Sequence, residues 1–105
     1  MEHTKLRSVH YNNERIIRER LIMQIGEGTP IKEVIVDRGH PDGPERHVLT
    51  NTGIIIIYNE YTGKLITKLI ARPNQIKRYY DNGEKAPKWL LNIAQSHQLR
   101  WYNQV

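Results

Sequence analysis

The chain has 105 residues, 38% hydrophobic and 26% charged, with 5 Pro, 7 Gly and no Cys. That size and balance predict one folded domain spanning 1–105 with a small core, and the missing cysteine excludes disulfides, thiolate zinc sites and cysteine nucleophiles. Sixteen Lys and Arg against eleven Asp and Glu leave a net charge of +5; the longest apolar run, Ile54 to Tyr58, is far short of the roughly 20 residues of a membrane span, and Met1-Glu-His-Thr-Lys5 has no apolar signal region, so a cytoplasmic protein with no membrane partner is expected.

The first periodic stretch, Glu14 to Ile25, follows the cap formers Asn12 and Asn13 and stops at Gly26, which predicts a helix. Ile17, Leu21 and Ile25 repeat every fourth residue, while Ile16 and Met23 fall on nearly the opposite side. Two apolar sides predict burial between two surfaces, or else contact with a partner or a second copy of the chain. Ile31 to Asp37 is rich in β-branched residues and reads as a strand, and Arg38 to Glu45 is a Gly- and Pro-rich loop. Arg46 to Thr50, Ile54 to Tyr61 and Lys64 to Ile70 are separated by Asn51-Thr-Gly53 and Thr62-Gly63, a pattern of two consecutive hairpins. Arg72-Pro73 opens a short helix through Tyr80, with Asn82-Gly83 as its stop. Pro87 starts a last helix in which Leu90, Ile93, Ala94, His97 and Trp101 share one face. The predicted fold is α+β: a four-stranded antiparallel sheet flanked by an N-terminal helix and C-terminal helices, with the helices covering one sheet face.

Strand register decides which polar groups meet. A tight turn at Thr62-Gly63 would pair Tyr58 with Thr67 and Ile57 with Lys68. In the other hairpin, a three-residue loop over Asn51 to Gly53 sets Arg46 opposite Tyr58, and a two-residue turn at Thr52-Gly53 sets His47 there; the three-residue loop is favoured because Gly53 then occupies the position that needs positive φ. Either register predicts a row of base or cation, phenol and hydroxyl on three adjacent strands, with Lys68 or Arg72 near the rim. Such a row could activate a ribose 2′-hydroxyl and stabilise charge on phosphate without a metal. With Arg46 in place of His47 the row becomes an anion clamp.

No pair of the five histidines has metal-site spacing, so neither a metal nor another cofactor is expected. His47 is the first acid/base candidate, with His10 and His40 next, and His97 reads as a packed residue on the last helix. Charge is unevenly distributed. Met1 to Gly63 carries eight basic and nine acidic residues, whereas Lys64 to Val105 carries eight basic and two acidic. Lys64, Lys68, Arg72, Lys77 and Arg78 run beside Tyr79 and Tyr80 with no acidic residue between Lys64 and Tyr80, which suits phosphate contacts and base stacking on RNA or another single strand.

The run Arg46-His-Val-Leu-Thr-Asn-Thr-Gly-Ile-Ile-Ile-Ile-Tyr-Asn-Glu-Tyr-Thr-Gly-Lys-Leu-Ile-Thr67 resembles the sheet of small bacterial and phage ribonuclease-like toxins of the barnase, EndoU, colicin and RelE group, the BECR fold. The resemblance implies metal-independent RNA cleavage in a cleft on the sheet by His47, Thr67 and Tyr58, with Arg72 or Lys68 as the oxyanion partner and an antitoxin or immunity protein as a further partner. The expected function is thus RNA binding or cleavage by a toxin-like protein of phage or mobile-element origin. The alternative is a non-catalytic accessory protein that binds nucleic acid or a nucleoprotein through its basic C-terminal half.

Overall fold

The computed structural model describes residues 2–80 and 83–104, with side chains from Asn13 on. Helix α1 (Glu2–Ile25) leads into strands β1 (Pro30–Val36), β2 (Glu45–Thr50), β3 (Ile54–Asn59) and β4 (Leu65–Ile70), then α2 (Pro73–Arg78) and α3 (Lys88–Tyr102). The four strands lie in chain order, each antiparallel to its neighbour, so the predicted α+β meander is the observed one. Helix α1 starts well before the expected cap, leaving Asn12 and Asn13 inside it. Asparagine costs a helix interior only about 0.7 kcal/mol relative to Ala, too little to end one whose neighbours continue the turn. The expected stop at Asn82 lies outside the described residues.

Side-chain alternation along β2 and β3 leaves both faces of the sheet apolar, because Val48-Leu49 and Ile54 to Ile57 are unbroken apolar runs. Helices therefore cover both faces, where one covered face was expected. Leu49, Ile55 and Ile57 pack with Ile76 of α2 and with Leu90 and Ala94 of α3. On the other face Val48, Ile54 and Ile56 pack with Ile22 of α1. Only one of the two apolar sides of α1 is used: Leu21 is 1% exposed and Met23 85%.

The β2–β3 loop is the three-residue one, with Gly53 at φ +81° and Arg46 opposite Tyr58. It also fastens α1 to the sheet. Asn51 Oδ1 accepts the Thr29 N–H at 2.8 Å, and the Thr52 hydroxyl lies 2.8 Å from the Gly26 carbonyl that it donates to. Gly28 is wedged against this clasp at φ +80°, and a Cβ there would sit 2.5 Å from Asn51 Oδ1 and 2.7 Å from Thr52 Oγ1. Gly28→Ala is therefore expected to destabilise the fold by about 2 kcal/mol, since left-handed backbone alone costs a side-chain-bearing residue roughly 1–2 kcal/mol and the clamped oxygens must also move. Urea unfolding at constant m value measures it.

The β3–β4 turn departs from expectation. Asn59 organises a longer loop: its N–H donates to the Lys64 carbonyl at 2.8 Å, its carbonyl accepts the Gly63 N–H at 2.8 Å, and its Oδ1 accepts the N–H groups of Tyr61 and Thr62, each at 2.9 Å. Tyr58 then faces Leu65, and an irregularity in the ladder follows, after which Ile57 faces Thr67 and Ile56 faces Lys68. The expected pairs Tyr58 with Thr67 and Ile57 with Lys68 do not form.

Candidate nucleic-acid interface

Register now sorts the predicted catalytic groups. Val34, His47, Ile57 and Thr67 are cross-strand neighbours and share one face, whereas Arg46 and Tyr58 pair on the other. The expected row is split. Its physical reason is the one-residue displacement that the Asn59 loop imposes on β4, together with the three-residue loop that turns His47 away from Tyr58.

His47 lies under α2, 5% exposed, between two partners. Nε2 is 2.9 Å from Glu45 Oε1, and Nδ1 is 2.7 Å from the Tyr79 hydroxyl. A carboxylate only accepts, so the neutral ring carries its proton on Nε2 and accepts from Tyr79 at Nδ1. Burial raises the Tyr79 phenol above its ordinary value of 10.0, and Arg38 and Arg78 partly oppose it. The folded state thus keeps this proton where the unfolded chain has lost it, so stability should fall as pH rises above 10. Tyr79→Phe should flatten that alkaline limb in a plot of urea midpoint against pH.

Arg46, the expected anion clamp, is already paired with a carboxylate. Its Nε and Nη2 each donate to Glu60 at 2.9 Å, a bidentate pair that raises the guanidinium and holds the Glu60 carboxyl below its usual range. Lys68, on the α1 face, lies 3.4 Å from Glu27 Oε2, while Lys77 and Arg78 are exposed on α2 across the sheet and Lys64 is exposed in the β3–β4 turn. The five cations expected as one track are therefore divided between two faces. The two tyrosines of that track pack against the core; Tyr79 is tied to His47 and Tyr80 lies under Lys32, whose Nζ is 4.7 Å from the ring centroid. His40 is exposed in the β1–β2 loop beside Asp42, and the His10 side chain lies outside the described residues. Among the described residues no group of three or more His, Asp or Glu converges as for a metal ion.

What the fold does assemble is a cleft of about 340 Å³ between α1 and α3, with Leu69 to Ala71 in its lining. Arg15 and Arg18 enter it from α1, Arg72 from the β4–α2 junction, and Trp101 and Tyr102 from α3. Glu14 also lines it, so the charged lining is three guanidinium groups and one carboxylate. Arg15 is paired with Glu19 at 3.1 Å, while Arg18 and Arg72 have no carboxylate partner among the described residues. Both walls are anchored. Arg100 donates to Gln24, joining α3 to α1, and His97 Nε2 donates to the carbonyl of Thr52 at 2.8 Å, the same residue whose hydroxyl holds the end of α1. Arg72 is set by its own N–H, which donates to Gln75 Oε1 at 2.9 Å.

Of this constellation the sequence reading contains only Arg72 as a ligand group. The signal it passes over is Arg15 and Arg18 one helical turn apart, together with Trp101 at the end of the apolar face of α3 and Tyr102 beyond it. No family model, curated protein or solved structure matches the chain. No described helix is long and apolar enough to cross a membrane.

Proposed function

We propose that this protein binds single-stranded nucleic acid, RNA in the first place, in the cleft between α1 and α3, and that it does so without cleaving it. The observation that carries the reading is the convergence of Arg15, Arg18 and Arg72 with Trp101 and Tyr102 in one anchored cleft. Guanidinium groups hold phosphates through charge-assisted, forked hydrogen bonds, and an indole or phenol offers a stacking surface to an unpaired base. Binding supports itself on these groups alone. Cleavage through the sheet would need His47, Tyr58 and Thr67 on one face, and they occupy two.

Fluorescence anisotropy of a labelled single strand, measured against salt, tests the reading. Affinity should fall steeply with salt, and Arg18→Ala with Arg72→Ala should lower the log-log slope by about 1.4, at roughly 0.7 per phosphate contact. The pair should also weaken binding by more than about tenfold at low salt, since each hydrogen bond to a charged group contributes roughly 1.5–3 kcal/mol. Lys77→Ala with Arg78→Ala, outside the cleft, should change both quantities less. Total RNA incubated with the protein in EDTA should stay intact. No binding at low salt would discard nucleic acid as the ligand.

A further inference from the structure

The polar groups that line the cleft are not equivalent once their existing bonds are subtracted. On the α1 side and at the β4–α2 junction the guanidinium groups of Arg15, Arg18 and Arg72 can only donate. On α3 the lining adds acceptors. His97 Nε2 already donates to the Thr52 carbonyl at 2.8 Å, and because a carbonyl oxygen only accepts, the neutral ring presents Nδ1 as an acceptor without a partner among the described residues. Gln98 Nε2 faces the Tyr102 hydroxyl at 3.4 Å, which leaves its carbonyl oxygen as a second acceptor one residue along the helix. The cleft thus sets three donor-only guanidinium groups against two acceptors on α3, in a lining that also holds the Glu14 carboxylate, Trp101 and Tyr102.

A nucleotide has the complementary polarity. Its phosphate accepts, and the exocyclic amino group of adenine or cytosine donates with two hydrogens. Uracil offers one N3–H between two carbonyl oxygens, and an oxygen set against the lone pair of His97 Nδ1 would remain unpaired on desolvation, which is the stronger source of discrimination. About 340 Å³ is at the small end for ligand clefts, room for one unpaired nucleotide unit.

We infer that the cleft selects a strand nucleotide with an amino-bearing base, adenine or cytosine over uracil, its phosphate on Arg18 and Arg72 and its amino group on His97 Nδ1 and Gln98 Oε1. The inference rests on the nucleic-acid reading of the same cleft.

The test compares oligo(A), oligo(C) and oligo(U) of equal length and label at one salt concentration. Oligo(A) and oligo(C) should bind about tenfold or more tightly than oligo(U), an energy on the scale of one misplaced polar group. Because His97 also anchors α3, its replacement could loosen the wall, so two other readouts carry the assignment. Gln98→Met keeps the length of the side chain and removes the acceptor, and it should shrink the difference between oligo(A) and oligo(U) without changing the salt slope. In a nitrogen-15 spectrum of the histidine rings, the His97 Nδ1 resonance should move on adding oligo(A) and stay in place with oligo(U). Equal affinity for the three strands with an unmoved Nδ1 resonance would overturn the selection and leave general strand binding standing. Absence of binding to all three would overturn the nucleic-acid reading with it.

Discussion

Leu90→Ala is expected to cost about 3 kcal/mol of stability, within the 2–5 kcal/mol that buried Leu→Ala changes cost. Leu90 is fully buried where α3 meets Leu49, Ile55 and Ile76, so its side chain fills space bounded by α2, α3 and one face of the sheet. Those walls cannot close the gap independently, because α3 is also fixed by His97 on the Thr52 carbonyl and by Arg100 on Gln24. For a domain of this size the loss corresponds to a fall in melting temperature of about 15 °C. Met23→Ala provides the comparison: that side chain is 85% exposed, and the change should stay within about 0.5 kcal/mol. Urea midpoints at unchanged m value read both. A Leu90→Ala loss below about 1 kcal/mol would mean that α3 is not docked on the sheet.

The two substitutions also separate what the sequence makes legible from what it does not. Leu90 and Ala94 were readable as core because they share one face with Ile93 and Trp101 at helical spacing, while Trp89 and Leu99 of the same helix are exposed, and the strands were readable because Gly53 and the β-branched runs leave few alternatives. For α1, Ile16 and Met23 had the same period as a buried stripe yet face outward, since periodicity reports that a side is apolar and not whether another element covers it. The register of β2 on β3 followed from one glycine. That of β3 on β4 depended on Asn59, whose side chain gathers two backbone N–H groups and lengthens the turn; a Thr-Gly pair beside an Asn permits either turn until the side chain is placed. The candidate site suffered most because it needed both registers, and a shift of one residue moves a side chain to the other face. The cleft was hidden for a different reason: Arg15, Arg72 and Trp101 come from three distant parts of the chain, and nothing local states that α1 and α3 meet across the end of β4.

His47→Ala should be the most damaging change to a polar residue, at about 2–4 kcal/mol, and the damage should be to folding. Removing the imidazole leaves the Tyr79 hydroxyl and Glu45 without their partners at 2.7 and 2.9 Å and opens space under α2, where the ring was 5% exposed. An unpaired buried polar group costs roughly 1–3 kcal/mol, and the cavity adds to it. Tyr79→Phe removes one hydrogen bond but keeps the ring in the core, so it should cost only about 1 kcal/mol. In the double variant, once His47 is gone the Tyr79 hydroxyl has no partner to lose, so the second change should cost less than it does alone, a coupling of about 1 kcal/mol or more in a double-mutant cycle. Nucleic-acid affinity of whatever fraction remains folded should match the parent, because His47 lines no part of the α1–α3 cleft. A His47→Ala protein that keeps its melting temperature but loses strand binding would contradict both the burial argument and the location of the site.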